Sequence, residues 1–234
     1  MNIDMELLQR RVRVVARALG RHGLVQAWGH CSARIDEKHF LVCAPRAMGI
    51  IRSGEAGTTV AIDAPLPAGV LGEVRIHQKI YARRADVGGI CRVMPPLTMA
   101  LSTLRLTPRP RHGVGAFVDQ CPLWDDPRLL RDDAMAAALA ETLGNAPALV
   151  MRANGAVTVG TSVELAMAHA WCLEDAARIE HAVRSMTSHP EDSLLAEDEI
   201  SARQVSSGRV FDRLWEFMTN GDPEAPPVGD VFNS

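Results

Sequence analysis

Leu8, Val12, Val15 and Leu19 repeat at the spacing of one helix face, with arginines between them. The spacing predicts an amphipathic helix over residues 4–19, stopped at Gly20. From "HFLVCAP" through "TTVAIDA" the pattern changes to short β-rich runs separated by Gly and Pro, the mark of a small sheet. "GEVRIHQKIYARR" returns to the helical period and sets Glu73, His77 and Ile80 or Tyr81 on one side. "VGGICRVM" reads as a buried strand that ends at Pro95.

A turn-rich stretch, "TPRPRHGVGAFVDQCPLWDDP", follows as a candidate loop over a site and leads into a helix around residues 128–143, closed by Gly144. "ALVMR" and "AVTVG" read as two strands joined at Asn154-Gly155, a pair favoured in tight turns for positive φ. Thr161 with Glu164 forms a capping-box pattern for a long helix to about residue 187, with a small-residue seam at Ala166, Ala170, Leu173 and Ala177. A final helical segment after Asp198 carries Trp215 and Phe217, and the tail from residue 221 reads as loose. No linker or charge run divides the chain, so residues 1–220 are expected to form one α/β domain and 221–234 a flexible tail.

Composition adds limits. The chain has 234 residues, 47% hydrophobic and only 4% aromatic, so a sizeable core must be filled by Leu, Val, Ala and Met. The formal charge of −3 is interspersed, with no basic stripe, which argues for a small-molecule partner rather than nucleic acid. Five cysteines, at 31, 43, 91, 121 and 172, make no C-x-x-C pattern and are odd in number. That excludes a disulfide framework and, with no apolar leader or membrane span, leads to the expectation of a cytoplasmic protein.

The ordered landmarks "WGHCSARI", "FLVCAP", "GEVRIHQKIYARRADVGGI" and "RANGAVTVGTSVELA" together resemble the class II aldolase/adducin family over roughly residues 7–185. The resemblance implies a three-layer α/β/α sandwich around a mainly antiparallel sheet, assembled as a homotetramer with intersubunit active sites. It also implies a zinc or manganese site built from a His-x-His at the end of the strand matched by "GGICRVM", with a third His before the Gly of the "ANG" turn. Here those positions hold Arg92, Met94 and Asn154. A permanent cation and a soft thioether suit a first-row divalent ion poorly, so no metal cofactor is expected. The family's catalytic carboxylate is kept as Glu73, whereas the sugar-phosphate grip is replaced by His30 and Leu71-Gly72. The "GEV" to "ADV" segment is close to the family's decarboxylase-like branch, apart from Ala85 where proline is usual.

Each candidate has an ordinary reading beside its chemical one. Arg92 can hold a carboxylate or a developing enolate oxygen, or it can neutralise Glu73 as a structural pair. Glu73 can move a proton, or it can compensate charge at a helix start. Cys91 points away from Arg92 in a regular strand and belongs to the core. His30, His77, Met94, His112 and Asn154 are candidate substrate contacts, with Arg109 and Arg111 beside His112 as possible anion anchors. Packing, a solvated loop and turn geometry are their alternatives. These residues together point to a lyase-like enzyme acting on a small carboxylated metabolite by decarboxylation or related C–C cleavage. A non-catalytic binding or scaffold protein like the adducin heads, and an isomerase or dehydratase using Glu73, are the alternatives.

Overall fold

A computed structural model describes residues 4–205 and 208–226 of the chain. The Asp4 carboxylate accepts from the backbone N–H groups of Glu6 and Leu7 and starts helix α1, Met5–Arg21. Gly20 does not stop this helix. It lies inside the last turn, where a Cβ would come within 2.4 Å of the Gly49 backbone, so its smallness serves a close approach.

Seven strands follow: β1 (His30–Arg34), β2 (His39–Val42), β3 (Thr58–Ala61), β4 (Gly89–Val93), β5 (Leu123–Trp124), β6 (Ala148–Met151) and β7 (Ala156–Gly160). They form one sheet in the order β3-β2-β1-β4-β7-β6-β5, antiparallel except for the β5–β6 pair. The remaining helices are α2 (Arg75–Arg83), α3 (Pro96–Thr103), α4 (Asp133–Leu143), α5 (Val163–Met186), α6 (Glu197–Arg203) and α7 (Val210–Thr219). No described helix is long and apolar enough to cross a membrane.

Side chains alternate across the strands, so the sheet carries two separate cores. Cys31, Ala33, Cys91, Val93 and Val150 pack against α1, α5 and α7. Phe40, Val60, Ile90, Leu149 and Val157 face the other way, onto α2 and α4. This is the expected three-layer sandwich. The small-residue seam of α5 is fully buried and lets that helix lie close against β4 and β7.

Some local readings are corrected. The cap of α5 is Ser162, whose hydroxyl accepts from Leu165 N–H; Glu164 instead lies buried and pairs with Arg11 at 2.7 Å. The helix expected from residue 128 begins at Asp133, capped by Asp132. Between β6 and β7 the left-handed positions are Ala153 (φ +56) and Gly155 (φ +82), not Asn154. The double proline after β4 starts a helix the sequence pattern did not announce. Pro96 opens α3, whose first N–H groups at Leu97 and Thr98 are accepted by the Glu174 carboxylate of α5.

Residues 221–226 are not a loose end. Asp222 accepts from Arg17 at 2.7 Å through both oxygens, and Glu224 accepts from Arg13 and Arg17 at 2.8 and 2.9 Å. The last residues of the expected tail, 227–234, lie outside the described residues. Burial works against ionisation of Asp222 and Glu224, but hydrogen bonds from Arg17 and Arg13 outweigh it and hold both carboxyls below their ordinary range. Depressed folded-state values add stability above the ordinary carboxylate range and lose it as pH falls through the folded values. Arg17→Ala should therefore cost on the order of 3 kcal/mol near neutral pH by leaving Asp222 buried beside a missing cation. Thermal melts should show the gap to wild type narrowing below about pH 4.

Candidate active site

The cleft that gathers the chemically capable residues lies at one end of the sheet, on the side covered by α2. It has a volume of about 720 Å³ and is lined by His30, Glu73, Arg92, Met94 and Asn154, with Trp28 exposed at its rim. Strand pairing explains the meeting. His30 of β1 stands directly opposite Arg92 of β4, and both project to the α2 face, while their neighbours Cys31 and Cys91 go into the opposite core. Gly29 permits the approach of the two strand ends: its φ is +132, and a Cβ there would sit 2.8 Å from the Arg92 carbonyl oxygen.

Arg92 is buried. Its Nη1 donates to the Val93 carbonyl at 2.8 Å and lies 3.2 Å from Met94 Sδ. Its Nε faces Glu73 Oε2 at 3.5 Å, an ion pair too long for a good hydrogen bond. Glu73 sits in the 3₁₀ turn Gly72–Val74 that leads into α2, and its side chain retains 24% exposure. The turn that offers Asn154 is fastened from outside. Arg152 pairs with Asp125, and Ala153 N–H donates to Ser102 Oγ at 2.9 Å.

Four buried polar atoms in this lining have no hydrogen-bond partner: His30 Nε2, Glu73 Oε1, Arg92 Nε and Asn154 Nδ2. Buried polar atoms are nearly always paired, so four in one cleft mark a place where a ligand's polar groups belong. The charge is biased as well. Arg46, Arg75, Arg92 and Arg131 line the cleft against one lining carboxylate, Glu73, with Arg46 paired to Glu55 and Arg75 to Asp133 at 3.1 Å outside the lining.

His77 lies behind the lining rather than in it. Its Nε2 meets His30 Nδ1 at 2.9 Å, and its Nδ1 meets Ser32 Oγ at 2.6 Å, which in turn meets Tyr81 Oη at 2.9 Å. Burial, reinforced by the Arg92 cation, lowers His77 to about 3 and takes His30 well below the ordinary histidine value, so both rings are neutral. Burial also lowers Arg92 somewhat, opposed by Glu73, without threatening its charge.

His112 is not part of this cleft. Its Nε2 pairs with Asp175 on α5 at 2.8 Å, on the other side of the sheet. Arg111 is consumed by the buried Glu180 at 2.6 Å, and Arg109 by Glu191. The basic run is thus a set of structural ties to α5 and its following turn. What the turn-rich segment does contribute comes just after it, where Leu129, Leu130 and Arg131 reach the cleft. Sequence reasoning missed these three, as well as Trp28, Ser32 and Arg46. An alternation of polar with small apolar residues in "HCSAR" was the available signal for β1 and for Ser32.

Among the described residues, no group of three or more His, Cys, Asp or Glu side chains is placed to hold a metal ion. The donor set at the strand end, a guanidinium, a thioether and one carboxylate, also fits a divalent ion poorly.

A helix-covered, mainly antiparallel sheet with a polar cleft at the ends of its central strands β1 and β4, beside the approach to α2, is the architecture of a class II aldolase-like protein. The chain belongs to the class II aldolase and adducin N-terminal domain family, whose model matches residues 10–181. It is 26% identical over 194 residues to a 3,4-dihydroxyphthalate decarboxylase of Arthrobacter keyseri, covering 74% of this chain and 77% of that one. It is 25% identical to human beta-adducin over 96% of this chain but only 32% of the adducin. An L-fuculose 1-phosphate aldolase from Glaciozyma antarctica PI12 has the same fold, with a TM-score of 0.71 at 19% identity over 85% of this chain and 80% of that one.

Gly155 supports Arg92 from behind. A Cβ there would fall 2.1 Å from the Val93 carbonyl oxygen and 2.9 Å from Arg92 Nη1, at a φ that L side chains rarely adopt. Gly155→Ala should destabilise the protein by on the order of 2 kcal/mol in urea titrations. It should also displace the guanidinium from the Val93 carbonyl.

Proposed function

We propose that the chain is a lyase-like enzyme that decarboxylates a small carboxylated substrate, or cleaves a related C–C bond, without the family's divalent ion. The observation that carries this is the set of unpartnered donors beside the free Glu73 oxygen in one cation-rich cleft. The decarboxylase relatives support the reaction class and favour an aromatic acid.

In such a reaction the C–COO⁻ bond breaks, its electron pair moves into a conjugated carbonyl or ring oxygen, and a proton replaces the carboxylate at carbon. The products are CO₂ and R–H, so the net step consumes one proton. An arginine clamped on the departing carboxylate would oppose its loss of charge. Arg92 therefore acts on the oxygen where charge accumulates, and its cation, though single, is fixed before the reaction begins. Glu73, with 24% exposure and one free oxygen, delivers the proton and is recharged from solvent. Arg131 draws in the carboxylated substrate, Arg46 and Arg75 being paired with Glu55 and Asp133, and Trp28 offers a ring face near the entrance.

The donor chemistry at the strand end supports the metal-free part of the reading. The exposed apolar rim, with Trp28 at 68% and Leu129 at 54% exposure, supports assembly as a homotetramer whose clefts are closed by a neighbouring subunit. The absence of any disulfide among the five buried cysteines agrees with a cytoplasmic location.

Purified protein screened against hydroxylated benzoic and phthalic acids should release CO₂ after exhaustive treatment with a chelator. Arg92→Ala and Glu73→Gln should each lower kcat by about a hundredfold or more. Activity that appears only when zinc or manganese is restored overturns the metal-free reading. A binder recovered unchanged after incubation makes the chain a non-catalytic binding module. Sedimentation should give four times the 25.4 kDa mass of one chain, and Trp28→Asp should shift the assembly toward smaller species.

A further inference from the structure

Tyr81, Ser32, His77 and His30 form a continuous buried row of hydrogen bonds that runs from the helix α2 side of the sheet to the cleft. Two neutral imidazoles in contact share one proton between the facing nitrogens, so the whole row must point one way or the other. In the first polarity Tyr81 donates to Ser32, Ser32 to His77 Nδ1, and His77 Nε2–H to His30 Nδ1. His30 then carries its own proton on Nε2. In the reverse polarity His30 Nδ1–H donates to His77 Nε2 and His77 Nδ1–H to Ser32 Oγ, His30 Nε2 is a bare lone pair, and either the Tyr81 or the Ser32 hydroxyl hydrogen has no acceptor.

The two are not equal. Tyr81 is only 2% exposed, with Ser32 Oγ as its hydroxyl's partner and Phe40 and the Arg34 guanidinium against its ring. The reverse polarity thus buries an orphaned hydroxyl hydrogen, which the first avoids. The first leaves unpaired only His30 Nε2–H, on a residue that lines the cleft.

We propose that this row fixes His30 as the Nε2–H tautomer, so that His30 presents a hydrogen-bond donor, not a base, to an anionic oxygen of the bound substrate. Ser32, His77 and Tyr81 are then positioning residues, acting through His30. His30 and Arg92 are cross-strand partners, and Asn154 Nδ2 is a further unpartnered donor in the same lining. Together they form a three-donor pocket for an oxyanion, with Glu73 as the one proton-carrying group nearby. The tautomer rests on the hydrogen-bond row alone, while its use on a substrate oxyanion rests on the lyase reading above.

The test is a long-range ¹H–¹⁵N correlation spectrum of the full-length protein labelled with ¹⁵N-histidine, free of ligand, with His30 assigned by His30→Gln. A single neutral tautomer is expected at His30, with Nε2 protonated and Nδ1 bare, and the same form at His77. Protonation of His30 at Nδ1, or an imidazolium, overturns the proposal whether or not the protein proves to be a decarboxylase. Ser32→Ala removes the directional link and leaves the Tyr81 hydroxyl equally unpaired in both polarities. The second His30 tautomer should rise at least threefold in that variant, while Ser32→Thr, which keeps the hydroxyl, should retain the single form. An unchanged pure Nε2–H tautomer in a folded Ser32→Ala protein would remove Ser32 and Tyr81 from the positioning role. A decarboxylase with His30 protonated at Nδ1 would overturn the tautomer and leave the lyase reading standing.

Discussion

A guanidinium held out of water at the end of β4 sets the terms for everything around it. Removing a cation from water costs several kcal/mol unless its surroundings restore what hydration supplied. The Val93 carbonyl, the Met94 sulfur and the Glu73 carboxylate do this only in part, since Nε faces Glu73 at 3.5 Å and keeps no hydrogen bond. Burial keeps the adjacent histidines neutral, and the Arg92 field reinforces it, because a second buried cation beside Arg92 would be more costly still. A neutral imidazole pair can relay direction through tautomers, which a charged pair cannot. The buried cation thus adds to what burial alone does to the histidine pair.

The fold tolerates this polar inlay because the sheet separates its two faces so completely. Cys31 and Cys91 close one core, and one residue away His30, Ser32 and Arg92 carry the polar cluster on the other side. Burial pushes the Cys91 thiol well above its ordinary value, which makes it a packing residue with no thiolate to offer. Rigid anchors hold the cluster's rim: α3 is fastened by Glu174, and the β6–β7 turn by Arg152 and Ser102. Donors fixed this way need no rearrangement when charge appears in front of them, which is the condition for electrostatic catalysis.

Much of this was legible in the chain itself. The period of "GEVRIHQKIYARR" points to the helix that carries His77, although Glu73 lies in the 3₁₀ turn just ahead of it, and strand alternation separates Cys91 from Arg92. Other readings failed for physical reasons that local pattern does not carry. The "RPRH" run looks like an anion anchor, but its partners Glu180, Asp175 and Glu191 lie about 60 to 80 residues away in sequence. Asn154 was assigned a turn conformation that Ala153 and Gly155 adopt, because an Asn-Gly pair in a four-residue connection need not place both residues in the left-handed region. β1 escaped because its alternate positions are polar, and only the site they line explains why they are buried.

In the proposed metal-free reading, an arginine standing where relatives would hold a metal changes which step the protein can favour. A divalent ion binds ground-state oxygens strongly and pulls electron density through a coordinate bond. A guanidinium offers one delocalised charge and directional N–H groups, so its advantage lies in geometry more than in field strength. That suits a reaction in which the substrate already holds its electron sink, such as a ring or carbonyl conjugated to the bond that breaks. It suits an unactivated sugar phosphate less, because stabilising that enolate asks more of a single charge. In that reading Arg131 attracts the anionic substrate over longer distances, while the buried unpartnered donors near β4 meet the charge that forms on one oxygen. The proposed reading thus gives attraction and stabilisation to different arginines, so that strong binding of the substrate carboxylate need not oppose its departure.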